Sequence, residues 1–191
     1  MVTETARVQV REFTVSDAAT LSEILSDPLV MKFSSKGPLS ERETLEFIEW
    51  CISSYQEHGF GQWAVIEKKS GALIGCCGLS QTAIDGVEEV EIGYRLLQNR
   101  WGLGFATEVA SEVLDYGFDS CNIKSIVGIV SPRHTASIQV LEKIGFRSFF
   151  ETLYSGWDVR VYRITQEYRK SYNTSLQADG ITSASLRQDR A

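Results

Sequence analysis

The sequence predicts an α/β (α+β) fold, with a mixed, mostly antiparallel sheet of about seven strands, a parallel pair at its centre and helices on both faces. Three observations carry that expectation. Short runs of β-type residues, several alternating apolar and polar with period two, are joined by turn residues, as hairpins require. One such run leads through two glycines into a long amphipathic stretch and then a wholly apolar run, the order of a right-handed βαβ unit. Further apolar positions recur at helical spacing before and after these strands.

Each element follows in order. Arg7 to Phe13 (RVQVREF) alternates as a strand. A helix begins near Ser16, with Leu21, Ile24 and Leu25 on one face, and stops at Pro28. The next opens at Ser40, where Glu43 completes a capping box, and runs to Gly59 with Leu45, Ile48, Ile52 and Tyr55 along its apolar face. Gln62 to Glu67 and Ala72 to Leu79 form a hairpin around KKSG. After Asp85-Gly86 comes a strand from Glu88 to Leu97, with Val90, Ile92, Tyr94 and Leu96 on one face. Val109, Ala110, Val113, Leu114, Gly117 and Phe118 mark a long helix, and Ser125 to Val130 (SIVGIV) reads as a strand covered on both sides. A helix from about Arg133 to Ile144 ends at Gly145. Phe146 to Tyr154 and Trp157 to Thr165 form a last hairpin. This gives one domain over residues 1–170, followed by a polar, aperiodic tail from 171 to 191.

Composition narrows the function. The 191 residues are 43% hydrophobic and 23% charged, as in ordinary soluble domains. No stretch approaches the roughly 18 apolar residues a membrane span needs, so no membrane partner and a cytoplasmic location are expected. A net charge of −6 without a basic stripe argues against nucleic acid; the acidic surface suits a cationic amine or a basic protein, or serves solubility alone. Four cysteines and two histidines show no metal-ligand or redox spacing, so no metal is expected, and adjacent Cys76 and Cys77 are read as small buried thiols on opposite faces.

The chemistry centres on QNRWGLGFATE, residues 98–108. At the carboxyl end of a strand and the amino end of a helix, unpaired backbone N–H groups and the helix dipole favour an anion. Gly102, Gly104 and the small Ala106 leave those N–H groups accessible, and Thr107 adds a hydroxyl. The dinucleotide fingerprint fails because position 107 is Thr, and the Lys of a P-loop is missing. A structural turn remains the alternative for the glycine pair alone.

The stretch EIGYRLLQNRWGLGFATEVASEVLDYGF, followed by SPRHTASIQVLEKIGF, resembles the core of the GNAT superfamily of acyl-CoA-dependent N-acyltransferases, and more closely its RimJ/RimL type. The resemblance covers roughly Arg7 to Thr165. It implies acetyl-CoA as co-substrate and a primary amine as acceptor, either a protein N-terminus or a small molecule, in a monomer or homodimer. The family's phosphate loop falls on Trp101, Gly102, Leu103, Gly104, Phe105 and Ala106, with Arg100 and Thr107 as side-chain helpers. Trp101 stands where many members have Arg. The strand from Leu96 through Leu97 to Gln98 is implied to pair with the pantetheine arm, and the Leu96 N–H to stabilise the thioester oxyanion. His134 replaces the usual Asn at the coenzyme, or is a first-turn surface residue. The family's tyrosine acid is absent, because that position is Leu141, and Ser137 is left to hydrogen-bond the sulfur or simply to pack.

An amine must lose a proton to attack. Glu91, opposite in parity to Ile92 and Tyr94, is the candidate base, and Glu89 shares its face; the alternative is two solvated carboxylates. Phe33, Trp63 and Trp157, with Tyr154, are candidates for the acceptor wall or else core aromatics, and Lys32 to Ser34 lie in the loop expected to border it. A rival reading is a module that binds CoA or a phosphate ligand without chemistry.

Overall fold

The computed structural model describes residues 1–178. Its elements are β1 (Thr3–Glu4), β2 (Val8–Arg11), α1 (Ala18–Leu25), α2 (Glu41–His58), β3 (Gln62–Glu67), β4 (Leu73–Ile84), β5 (Val87–Leu96), α3 (Phe105–Asp119), β6 (Ser125–Val130), α4 (Thr135–Lys143), β7 (Phe149–Tyr154), β8 (Trp157–Thr165) and α5 (Gln166–Ala178). One sheet runs β1-β2-β3-β4-β5-β6-β8-β7. Every neighbouring pair is antiparallel except β5 and β6. The seven expected strands are present; the eighth is β1, whose two residues are too few to show a period.

Local chemistry sets the boundaries. At the start of α2 the Glu43 N–H donates to Ser40 Oγ (3.3 Å) while the Ser40 N–H donates to Glu43 Oε2 (2.8 Å). Gly59 ends the helix in the left-handed region, φ 76°. Asp85 and Gly86, both at positive φ, make the tight turn that lets β4 extend to Ile84, five residues past the expected end.

Strand parity divides the core. Trp63, Val65, Cys77, Leu79, Ile92 and Leu96 pack with Phe105, Val109 and Val113 of α3. Ala64, Leu73 and Cys76 pack on the other side with Leu21, Ile24, Ile48 and Cys51 of α1 and α2. Cys76 and Cys77 therefore lie on opposite faces, both fully buried. A third cluster, Ile84, Val127, Val159 and Val161, covers the β6–β8 end.

The expected tail requires correction at its start, because α5 continues through Ala178. Its anchor is Arg169, only 4% exposed, which donates to Asp115 Oδ1 (2.7 Å) and Oδ2 (2.9 Å), Ser111 Oγ (2.8 Å) and the Ile144 carbonyl (2.6 Å). Tyr172 packs against Gly145 and beneath Arg147. A buried arginine and a tyrosine dock this helix where the sequence carries no apolar stripe. Residues 179–191 of that tail lie outside the described residues. Arg169→Ala should cost about 3 kcal/mol in urea unfolding, because it strands Asp115 and a buried carbonyl; a loss below 1 kcal/mol would mean that α5 is not integral.

Candidate active site

β5 and β6 share one register pair, Glu91 with Val127, and then part, whereas β5 stays paired with β4 as far as Leu96 opposite Gly75. The Leu97 N–H donates to the Ile74 carbonyl (2.9 Å). In an antiparallel ladder this sends the Leu96 N–H and C=O the other way, onto the open edge facing β6. A strand edge with unpaired amides thus ends at the glycine loop, at the carboxyl ends of the parallel pair, where α/β sheets place their ligands.

The loop is held from behind. Gly102 (φ 71°) and Gly104 (φ 79°) adopt left-handed conformations, and Gly104 is the N-cap of α3. Among the described residues, no backbone N–H from 102 to 107 has an acceptor, so six unpaired amides lead into the amino end of α3. A run of free amides at a helix start is the kind of cradle that suits an anion. Trp101 Nε1–H donates to the Leu96 carbonyl (2.8 Å), fastening loop to strand.

Arg7 and Glu108, which sequence reasoning missed, form the support. Arg7 donates through Nη1 to the Leu103 carbonyl (2.8 Å) and through Nε to Glu108 Oε2 (2.6 Å), and its guanidinium lies over the Phe105 ring. Thr5 Oγ–H and the Arg7 N–H also donate to Glu108. Burial pushes the Glu108 carboxyl up, but these donors outweigh it and hold the pKa below the usual carboxylate range. The partners lie 101 residues apart, so only the apolar-face position of Glu108 on α3 could have signalled a buried carboxylate.

Other expected residues divide. Arg100 is paired with Glu67 (2.9 Å) on the β3–β4 hairpin, which Ser70 also contacts, so its guanidinium is engaged by that hairpin. The Gln98 side chain donates to Asp27, joining the strand end to the loop after α1. Thr107 and Ala106 sit half-buried or better in the first turn of α3. Phe33 and His134 meet: their rings stack at 4.1 Å, with Lys32 Nζ 5.5 Å from the Phe33 ring. Burial, and then the Lys32 charge, lowers the His134 pKa, leaving a neutral imidazole at neutral pH. Ser137 is met by Tyr94, whose hydroxyl donates to the Ser137 carbonyl (3.2 Å) and lies 2.9 Å from its Oγ, bridging β5 and α4 across the parting strands. Leu141 is core, seated against Gly128.

Of the aromatics expected to wall the acceptor, Trp157 is 44% exposed and lines an open hollow of about 500 Å³ with Ser131, Pro132, Arg133, Gly156 and Asp158. Trp63 does not belong there. It is 1% exposed, edge-on to Tyr116 at 5.5 Å, because its parity matches Val65 and points to α3. Glu89 keeps the face of Glu91 but is spent on Arg163 of β8 (Oε2 to Nη1, 3.0 Å). Among the described residues Glu91 has no such partner, and burial raises its pKa to about 7 against the opposing charge of Arg95.

The acetyltransferase (GNAT) domain profile matches residues 7–147. The chain belongs to this family. It is 34% identical over 172 residues to the Bacillus subtilis protein YkkB, covering 88% of this chain and 95% of that one. It is 32% identical to an uncharacterized Bacillus licheniformis N-acetyltransferase, p20, covering 75% and 80%. A GNAT-family acetyltransferase structure from Bacillus anthracis superposes with a TM-score of 0.73 at 27% identity, over 86% of this chain and 98% of that one. As a GNAT acetyltransferase the protein has the expected α/β architecture with its parallel β5–β6 pair. Among the described residues no helix is long and apolar enough to cross a membrane, and no group of three His, Cys, Asp or Glu residues could hold a metal ion.

Proposed function

We propose that this GNAT acetyltransferase is of the RimJ/RimL type and transfers acetyl from acetyl-CoA to a primary amine, on a protein N-terminus or a small molecule, by direct attack in a ternary complex. The observation that carries the reading is the parting of β5 from β6 immediately before the glycine cradle, which leaves the Leu96 amide on an open edge. The pyrophosphate rests on the amides of residues 102–107. The edge from Leu96 to Gln98 pairs with the pantetheine arm, and the Leu96 N–H faces the thioester oxygen, where one preorganised donor is worth roughly 3 kcal/mol. Glu91 takes the amine proton. Ser137, held by Tyr94, donates to the departing sulfur, which as a thiolate needs little further help. His134 contacts the coenzyme as a neutral imidazole while its stack with Phe33 joins the donor side to the acceptor wall, to which Trp157 also contributes.

A thermal-shift panel of acetyl-CoA, CoA, ATP and NAD tests the donor. Acetyl-CoA and CoA should raise the melting temperature by several degrees at a hundredfold excess over Kd, since ligation at that level adds about 2.7 kcal/mol. A shift with ATP or NAD alone would overturn the reading. Free-thiol release across a panel of amines then distinguishes an enzyme from a module that only binds CoA.

A further inference from the structure

On the α1–α2 side of the sheet a polar strip leads to Glu91, and its other members, Gln62 and Ser80, have no role in the chemistry above. In register, Gln62 of β3 lies opposite Gly78 of β4, and Gly78 opposite Gly93 of β5. The next row on that face is Ser80 opposite Glu91. Gly78 admits no side chain, since a Cβ would come 2.2 Å from the Gly61 carbonyl oxygen. Across these glycines the Gln62 carboxamide reaches β5: a Cβ on Gly93 would sit 3.3 Å from its Nε2 and 3.9 Å from its Oε1. Nε2 also lies 3.5 Å from Ser80 Oγ.

Gln62 is 4% exposed, and its Oε1 has no hydrogen-bond partner among the described residues. Leaving such an acceptor unmet costs about 1–3 kcal/mol, so buried amide oxygens of this kind are met by water or ligand. The strip is also bounded. Ala64 and Cys76 under α1 and α2 lie to one side, Ile84, Val127, Val159 and Val161 to the other. Glu91 stands at its β5 end. The Cα atoms of residues 91 and 93, on one strand face, are about 7 Å apart, so a carboxylate on Glu91 and the Gln62 carboxamide lying over Gly93 are close enough for their side chains to share one water.

We propose that Gln62 is a positioning residue for proton removal, its Oε1 accepting a hydrogen bond from a water that links the acceptor amine to Glu91. The inference rests on Glu91 as base. The amine nitrogen forms its bond to the acetyl carbon, its N–H proton passes to the water, and a proton of that water passes to a Glu91 oxygen. The C–S bond then breaks and the sulfur leaves with its electron pair.

A crystal structure of the CoA complex should show an ordered water within hydrogen-bond reach of both Gln62 Oε1 and the Glu91 carboxylate; a protein donor on Oε1, or a dry contact, would overturn the proposal. In solution, carbon-13 NMR titration of glutamate carboxyls, with Glu91 identified by its absence in Glu91→Gln, follows the same site. Gln62→Met, similar in volume, should raise the Glu91 midpoint by about one pH unit by removing the water that solvates it, and Gln62→Glu should raise it further through like charge. Unchanged midpoints in both variants sink the idea, provided melting temperature and CoA affinity match wild type; if Gln62→Met fails that control, Gln62→Glu decides. Failure of Glu91 as base shows itself separately, as thiol release insensitive to Glu91→Gln.

Discussion

Glu91→Gln should lose about a hundredfold in the rate of acetyl transfer, the usual scale for removing a positioned base, while CoA affinity stays unchanged. The pH profile separates this from trivial damage. With a pKa raised to about 7, chiefly by burial and against the charge of Arg95, Glu91 is half ionised near neutrality, so the wild-type rate climbs through pH 7. The variant lacks that limb and keeps only the later rise that belongs to the amine. Stability moves the opposite way. A carboxyl whose folded pKa lies above its unfolded value favours folding below the unfolded value, near 4.5, and loses that contribution as pH rises through 7. Above pH 7 the wild-type fold therefore carries a half-buried, poorly solvated carboxylate that the unfolded chain would hold in water. Glu91→Gln should be more stable than wild type at pH 8, by up to about 3 kcal/mol, with the two converging near pH 4. Lower activity together with higher stability identifies a group held for chemistry. A profile that keeps its limb, or a variant destabilised at pH 8, would remove Glu91 from the mechanism.

The strand, glycine loop and helix that frame the candidate donor site were legible in the sequence because they are local. Period-two alternation in β5 set the parity of Glu91 against Ile92 and Tyr94, and Gly102 and Gly104, one residue apart, marked where strand becomes helix. What stayed hidden depends on contacts between distant residues. Trp63 reads equally well as wall or core until its face is fixed by pairing with β4. Glu89 is an available carboxylate until β8 brings Arg163 over β6, 74 residues further along. Arg7 and Glu108 show no joint pattern, and α5 has a single buried arginine in place of an apolar stripe. The Gln62 strip is a row across three strands, so it exists only once register is known.

Gly104→Val should abolish measurable CoA binding, but it cannot do so cleanly. At φ 79° a β-branched residue is strained, by roughly 1–2 kcal/mol or more, and its Cβ would lie 3.3 Å from Arg7 Nη2, the guanidinium that supports the loop. A melting temperature lower by about 4–8 °C should accompany the loss of affinity. The sharper experiment is Gly102→Ala, where φ is 71° and nothing lies within 4 Å of the added methyl. Its strain is present with or without ligand, so strain alone leaves Kd unchanged. If the open space beside Gly102 is where the pyrophosphate sits, the methyl should weaken CoA binding at least tenfold in calorimetry, because it holds phosphate oxygens away from the amides. Gly86→Ala supplies the control: φ 80°, equally open space, but in the β4–β5 turn, nine residues of strand away from Leu96. Equal destabilisation in both variants, with CoA affinity lost only at Gly102, separates a phosphate cradle from a turn. Equal affinity in both would make the glycine pair a turn and nothing more.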